Sequence, residues 1–400
     1  MSSSVLSLNA GSASLKFALF DHAIAHGASG LPTATLRGEI DAPDGKPTLT
    51  YSRTGEPSRT EAPNALRGDI GGETTWLIDW LMRACDAPRP TVVAHRIVHG
   101  GLRYNQAVRI TPGVFADLQD LTSLAPLHQG PGLAGVQAAQ AILPDATQVA
   151  CFDTAFHANH TDAERRYAIP RAWHERGYQR YGFHGLSYDA ISRRLPTVLG
   201  EQAQRAVVVA HLGGGASLCG MRNLQSMTTT MGFTALDGLV MGTRCGALDP
   251  GLVLQWFQHD GMRPEEVSDL LYKQSGLLGV SEISADTRDL LASKDPRAQQ
   301  AIDVFVASIV RQMGSVIAAL GGLDALVFTG GIGTHQPMIR AAVVQRLAWL
   351  GLALDAAANA NGNLNIASSA SRIPILALPT DEEAVMAAQA AALLTEMAGR

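Results

Sequence analysis

Arginine and histidine stand beside glycine in three short strings of this chain: Ala94-His95-Arg96-Ile97-Val98-His99-Gly100-Gly101, Tyr181-Gly182-Phe183-His184-Gly185 and Met241-Gly242-Thr243-Arg244-Cys245-Gly246. Cations at turns without bulky neighbours suit the approach of an anion. Only 17% of the chain is charged, so these placements point to anion recognition more than to solubility. Carboxylates give the complementary signal. Asp153 follows the apolar run Val149-Ala150-Cys151-Phe152, at a strand's C-terminal end, where open α/β sheets bind ligands. It could orient a nucleophile or hold a metal. Pro379-Thr380-Asp381-Glu382-Glu383 opens the last helix, with Thr380 expected as N-cap and Glu383 as its capping-box partner. Glu382 has no structural duty in that scheme.

Glycine supplies the third part of the chemistry. Ala10-Gly11-Ser12-Ala13-Ser14-Leu15 follows one apolar strand and Gly213-Gly214-Gly215-Ala216-Ser217-Leu218 follows another, with Ser14 and Ser217 standing 203 residues apart, about half the chain. Each reads as a strand, a small-residue turn and a second strand, whose backbone N–H groups can face an anion. The matched strings imply a duplicated domain. A further cluster, Thr329-Gly330-Gly331-Ile332-Gly333, separates the strand Ala325 to Thr329 from a helix at about Gln336, a nucleotide-facing arrangement. Neither the dinucleotide fingerprint G-x-G-x-x-G nor the P-loop G-x-x-x-x-G-K-[ST] is present, which argues against a dehydrogenase and a Walker-type NTPase. Glycine turns, arginines and few acids fit phosphoryl transfer from a nucleotide, a reaction that needs charge neutralisation and positioning more than covalent groups. These residues leave the acceptor open.

The elements that must carry these residues alternate between β-type and helical patterns. Strands are expected at Val5 to Leu8, Leu15 to Phe20, Thr91 to Ile97, Gln148 to Phe152, Ala206 to His211 and Ala325 to Thr329. Helices are expected at Glu73 to Cys85, Gly113 to Leu124, Leu133 to Leu143, Leu252 to His259, Pro296 to Leu320, Gln336 to Leu350 and Glu382 to Met397. This is an α/β pattern, with edge strands and loops over 41–72 and a loop over 359–371. The chain has 400 residues, 46% of them hydrophobic, and a net charge of −5. That is enough for two or three domains with large cores, and it lacks the basic footprint of a nucleic-acid binder. Cys85, Cys151, Cys219 and Cys245 form no CxxC pair, so no disulfide framework or zinc cluster is implied and a reducing cytoplasm is the default. No signal peptide and no membrane span are expected.

The strings resemble those of the acetate kinases, members of the acetate and sugar kinase, Hsp70 and actin superfamily. The resemblance runs from Leu8 to about Ala388 and rests on the motif beginning Asn9-Ala10-Gly11 and ending Lys16-Phe17, on His95 to Gly101, and on Leu124-Ala125-Pro126-Leu127-His128. Phe152-Asp153-Thr154-Ala155-Phe156-His157, Arg180-Tyr181-Gly182-Phe183-His184-Gly185, Met231-Gly232-Phe233-Thr234 and Gly242-Thr243-Arg244 continue it in order. It implies duplicated ribonuclease-H-like α/β domains, one over 1–151 closed by about 383–400 and the other over 152–382, with the nucleotide in an interdomain cleft. It further implies a homodimer using ATP with Mg2+, or with Mn2+ in its place, to phosphorylate a short-chain carboxylate, with no nucleic-acid or membrane partner.

Carried over by position, Asn9 and Glu382 resemble the magnesium-associated pair, Lys16 the ATP-contacting lysine, and Arg96 the arginine that holds the substrate carboxylate. Asp153 resembles the catalytic acid/base, in a reaction whose acceptor is already ionised. His184 and Arg244 resemble stabilisers of the transferring phosphoryl group. The segments His211-Leu212-Gly213-Gly214-Gly215, Asp286-Thr287-Arg288 and Gly331-Ile332-Gly333-Thr334-His335 are similar to the nucleotide-binding turns, and Val98, Leu127, Phe183 and Ala235 to the methyl pocket. Departures from the pattern at Gly214, Thr287 and Thr334-His335 fall on the nucleotide side and bear on base preference. Gln129-Gly130 and Ala235 fall near the acyl pocket, and Ala235, in place of a common and bulkier proline, predicts better tolerance of propionate. A propionate or butyrate kinase is the nearest alternative, and a weakly active nucleotide-binding paralogue is the next.

Overall fold

The chain is described by a computed structural model over residues 4–11, 14–21, 30–42, 46–63, 66, 68–85, 87–125 and 128–399. Leu127 of the expected methyl pocket, and Ser12 and Ala13 of the first glycine turn, lie outside these residues. Two compact units form, one from 1–158 with 381–400 and one from 159–380. The boundaries fall at 158 and 381 instead of the expected 151 and 383. Asp153 and Glu382 bond to residues of the first unit, and those bonds keep them in it.

In the first unit, apolar strands assemble around β1 (Ser4–Ala10), whose seven residues are all buried. With it run β2 (Ser14–Asp21), β3 (Leu36–Asp41), β4 (Thr48–Arg53), β5 (Arg59–Glu61), β6 (Val92–Ile97), β7 (Val108–Arg109) and β8 (Thr147–Phe152). Among the described residues they pair in the order β5-β4-β3-β2-β1-β6-β8-β7. β6 is parallel to β1 and to β8; β1 to β5 form an antiparallel meander. In the second unit β9 (Val207–Leu212), β10 (Ala216–Arg222), β11 (Gln225–Thr229), β12 (Ala325–Thr329) and β13 (Ile375–Ala377) pair as β11-β10-β9-β12-β13.

Five strands of the first sheet, β3-β2-β1-β6-β8, therefore repeat in the second, with the antiparallel hairpin and the parallel partners in the same places. This is the duplicated ribonuclease-H-like order that the repeated strings imply. The hairpins close differently, however. Ala10 pairs with Leu15 across four residues, whereas Leu212 pairs with Ala216 across three. The shorter turn draws Ser217 into the strand opposite His211, although by sequence it matches Ser14 at the rim of the first hairpin.

Most expected elements form, with shifted ends. The helix expected at Glu73 begins at Ile70, because the Asp69 carboxylate caps it by accepting from the Gly72 N–H at 2.7 Å. It lays Leu77, Ile78 and Leu81 on Leu6, Leu15, Phe17 and Ile40 of the sheet. Each side chain so buried contributes about 1.5–3 kcal/mol. Pro296–Leu320 forms as one 25-residue helix. By length and hydropathy it could cross a membrane, but Ala298, Ile302, Phe305, Ile309, Met313, Val316 and Leu320 form a buried stripe at helical spacing, as in a core helix. The glycine cluster after β12 is itself a short helix, Gly330–His335, and the helix expected from Gln336 to Leu350 is Pro337–Arg346 followed by a 3-10 turn at Ala348–Leu350.

The Ile70–Arg83 helix also buries Glu73. Burial, and then the nearby Asp69 charge, push its pKa from 4.5 up to about 7. The folded state thus holds a proton that the unfolded chain has lost between those values, and stability falls as pH rises through that window. The Tm advantage of Glu73→Gln over the natural protein should therefore grow from pH 5 to pH 8 in thermal melts; a constant difference would contradict it.

Candidate active site

In the first unit the functional side chains sit where parallel strands end. β1 carries Asn9, β6 carries Arg96, and Asp153 follows β8, its N–H donating to the Ile97 carbonyl at 3.1 Å. Arg96 donates from Nη2 to Asp153 Oδ2 at 2.7 Å and from Nε to both carboxylate oxygens at 3.1 and 3.3 Å. Asp153 is almost wholly buried and Arg96 partly so. Arg96 Nη1 donates to Asn9 Oδ1 at 3.2 Å, and Asn9 Nδ2 donates to Glu382 Oε2 and to Glu383 Oε1, each at 2.9 Å. The result is a continuous, part-buried chain from Asp153 through Arg96 and Asn9 to two glutamates.

The last helix presents those glutamates because its N-cap is Asp381, which accepts from the Ala384 N–H at 3.1 Å. Thr380 does not cap it, contrary to expectation; its hydroxyl donates to the Ser187 carbonyl. Glu383 is thereby released from the capping box and turns to Asn9 beside Glu382. Sequence reasoning gave Glu383 no part in the site, and its only signal was adjacency to Glu382. Burial raises the pKa of both glutamates. For Glu382 the Asp153 charge adds to the rise, while Arg96, Lys16 and Asn9 oppose it; for Glu383 the Glu382 charge adds. Burial works against the Arg96 charge, but Asp153, Glu382 and Glu383 together hold its pKa above the usual range. Three carboxylates surround one guanidinium, so this cluster is short of positive charge. Lys16, exposed on β2 and paired in register with Asn9, lies on the same side of the hairpin.

The histidines flanking Arg96 are not part of this chain of contacts. His95 is buried with Nε2 2.7 Å from Gln148 Oε1, and His99 Nδ1 accepts from the Gly101 N–H. Burial lowers both pKa values to about 4, so they are neutral at pH 7 and add no cation. Gln129 is likewise structural. Its amide oxygen accepts from the His99 N–H, and its Nε2 donates to the His99 and Leu118 carbonyls. Val98 is buried beyond the end of β6.

The second unit works mainly through backbone. Gly330 takes φ +77°, and a Cβ there would stand 2.6 Å from the Leu212 carbonyl oxygen; only glycine lets the two turns approach so closely. The turn at Gly213 to Gly215 thus abuts the Gly330–His335 helix, with Gly331 N 3.8 Å from a Cβ placed on Gly213. His184 adopts φ 58°, a conformation uncommon outside glycine, at the start of the Gly185–Leu199 helix. Its ring stacks on His211 with centroids 4.2 Å apart. A Cβ on Gly215 would lie 3.1 Å from His184 Nε2 and 3.7 Å from Arg244 Nη1, so both cationic or donor groups converge on bare backbone. Arg244 Nη1 also donates to the Ala235 carbonyl at 3.0 Å.

The remaining expected residues are placed as follows. Phe183 is buried and Ala235 half-buried. Asp286 caps the Thr287–Ala292 helix and pairs with Arg288 at 2.5 Å on the surface, while Thr287 is buried. Gly242, near Arg244, lies close to both Gly214 and Ala285, which brings the 286–288 segment near the Gly213–Gly215 turn. His335 and Gly331 are exposed, and Ile332 and Thr334 half-buried. Arg340 escaped the sequence reading. It is buried, donates from Nη1 to the carbonyls of Gly333 and Thr334 and from Nε and Nη2 to Asn359, and anchors the third glycine turn at its C-terminal carbonyls. An arginine inside Met338-Ile339-Arg340-Ala341-Ala342-Val343 was the available signal.

Removing one member of a buried ion pair leaves an uncompensated charge and costs about 3–5 kcal/mol. Asp153→Ala should therefore lose stability on that scale in urea titrations, and the double variant Arg96→Met/Asp153→Leu should recover most of it. Equal losses in the two variants would contradict the pairing.

The sequence profile of the acetokinase family matches residues 4–388. An acetate kinase of Rhodopseudomonas palustris is 47% identical over 97% of both chains, and one of Methylocella silvestris is 43% identical over the whole of both. Among solved structures, a propionate kinase from Francisella tularensis superposes with TM-score 0.87 at 32% identity, covering 98% of this chain and 100% of that one. An acetate kinase from Porphyromonas gingivalis has the same coverage, with TM-score 0.83 at 31% identity. Profile, relatives and duplicated fold agree across nearly the full length, and the chain belongs to the acetokinase family.

Proposed function

We propose that this protein is an ATP-dependent acetate kinase, moving the γ-phosphoryl group of ATP reversibly to acetate to give acetyl phosphate and ADP. The observation that carries this reading is the convergence of His184 Nε2 and Arg244 Nη1 on the bare backbone of Gly215, an arrangement of donors suited to the spreading charge of a transferring phosphoryl group. Arg96 complements it. A guanidinium has five N–H groups; Nε, one on Nη2 and one on Nη1 serve Asp153 and Asn9. One N–H on each Nη is left for a bidentate grip on the acceptor carboxylate. The acceptor arrives ionised, so Asp153 has no proton to take. Its task in this reading is to hold Arg96 in place, which both its oxygens already do.

Magnesium suits the glutamate end of the cluster. All available donors there are oxygens, and Mg2+ is commonly held by one or two carboxylates plus substrate phosphates. Glu382 and Glu383 would hold it, with manganese as its substitute. Asn9 Oδ1 faces the Arg96 cation, so Asn9 acts by aligning the two carboxylates through its Nδ2 instead of by ligating. When bound, the ion neutralises charge on the β- and γ-phosphates. By their match to the family's motifs, Lys16, the 211–215 turn, the 286–288 segment and the 331–335 helix are assigned to the nucleotide, and Val98, Leu127, Phe183 and Ala235 to the acyl group. Family membership supports a homodimer, and so does the apolar Pro250–Gln258 helix, which buries no residue and exposes Leu252, Leu254 and Phe257. Four free cysteines suit a reducing cytoplasm.

With Mg-ATP and hydroxylamine, acetate should give the most acyl hydroxamate, propionate should follow and butyrate should trail. One methylene is worth about 1–3 kcal/mol in such a pocket. Propionate ahead of acetate would retain the mechanism and change the substrate; no product with any acid, from folded protein that binds ATP, would overturn the proposal. Arg244→Ala should lower kcat by about 100-fold or more with the circular dichroism spectrum unchanged, and near-normal turnover would remove Arg244 from its assigned role.

A further inference from the structure

Behind His184 lies a hydroxyl chain that the reaction scheme above does not use. Ser217 Oγ is 2.9 Å from His184 Nδ1 and 2.5 Å from the Tyr188 hydroxyl. Ser217 and Tyr188 have no solvent exposure. The two sit on separate elements, Ser217 on β10 and Tyr188 one turn into the helix that His184 opens. His211, on which His184 stacks, is fixed in turn by Ser187 Oγ at 2.7 Å from its Nδ1. The His184 ring is thus held in its plane by the stack and in its rotation by Ser217.

One proton order along the chain makes His184 a donor at Nε2. Burial raises the Tyr188 pKa well above 10, against bonds from Ser217 and the His211 backbone that lower it, so the phenol is protonated at pH 7. It therefore has an O–H to give to Ser217 Oγ, its neighbour at 2.5 Å. In that order Ser217 accepts from Tyr188 and donates its own proton to His184 Nδ1. An imidazole that accepts at Nδ1 is neutral and carries its proton on Nε2, and Nε2 is the atom aimed beside Arg244 over Gly215.

We propose that Ser217, oriented by Tyr188, is a positioning residue that presents His184 as the neutral Nε2–H tautomer, a hydrogen-bond donor toward the phosphoryl group. The inference rests on the kinase reading for its purpose but not for its geometry. Its sequence origin is the shortened second hairpin, which moves this serine from the rim of the turn into the strand.

The test uses full-length protein labelled with 15N in the histidine rings, without substrates, and His184 signals assigned by their loss in His184→Gln. The natural protein should show His184 with Nδ1 unprotonated and Nε2 protonated. Ser217→Ala should mix the tautomers and lower kcat about ten- to a hundredfold, with KM for ATP and acetate within about twofold. Tyr188→Phe, which removes only the hydroxyl and keeps the ring packed, should shift both readouts in the same direction by less, and it serves if Ser217→Ala does not fold. Ser217→Thr should retain the Nε2–H tautomer. A protonated Nδ1 in the natural protein, or a tautomer unmoved by both Ser217→Ala and Tyr188→Phe, would overturn the proposal even if kcat fell. Because the spectra are recorded without substrate, absence of acyl-phosphate formation would sink the kinase reading while leaving this result to stand or fall alone.

Discussion

One part-buried guanidinium, Arg96, faces three carboxylates across a chain of hydrogen bonds, and the first unit is organised around supporting that charge. Such a cation is tolerated only because Asp153 takes two of its edges' donors and Asn9 a third. Those partners can reach it only because β1, β6 and β8 are parallel and end together, and because the last helix begins at Asp381, delivering Glu382 and Glu383 to Asn9. The remaining imbalance, three acids against one arginine, makes the same cluster receptive to a divalent cation and to the carboxylate of a substrate. Stability and chemistry use the same bonds.

The second unit reaches an equivalent end by different means. Its sheet repeats the order of the first, yet the position equivalent in topology to the charged strand end carries glycines, and the two turns that meet there present backbone. Charge enters from the side, through Arg244 and His184. Arg340, buried and bonded to carbonyl oxygens, steadies the Gly330–His335 helix by filling the acceptors at its C-terminus. A duplicated fold has in this way divided its labour, with ionised side chains in one copy and backbone donors with a positioned imidazole in the other. The one-residue difference in hairpin length between the copies accounts for much of that divergence at Ser14 and Ser217.

Long apolar strands and well-capped helices were legible in the sequence because their signals are local. β12 was bounded correctly, and so was the Pro296–Leu320 helix, which has Asp295 and Pro296 at its start and Gly321 at its end. The repeat was legible because both turns kept small residues. The Gly185–Leu199 helix was missed, since it opens on a histidine in a left-handed conformation and contains Pro196; neither resembles a helix start signal. The cap at Asp381 was misread because Thr380 and Glu383 make an ideal local capping box, and a tertiary partner, Asn9, outbid it for the glutamate. The roles of Arg340, Gln129 and Ser217 are of the same kind. Each depends on a group distant in sequence, and nothing in the local string distinguishes them from surface or turn residues.

The central claim is that an acetate oxygen attacks the γ-phosphorus of ATP. The direct measurement is 31P NMR of the product formed from Mg-ATP and acetate labelled with 18O in both carboxylate oxygens. The account predicts acetyl phosphate and ADP, with 18O in the C–O–P bridge visible as an isotope shift of the acetyl phosphate resonance. Acetyl phosphate without bridging 18O, or release of pyrophosphate with an acyl-adenylate, would contradict it.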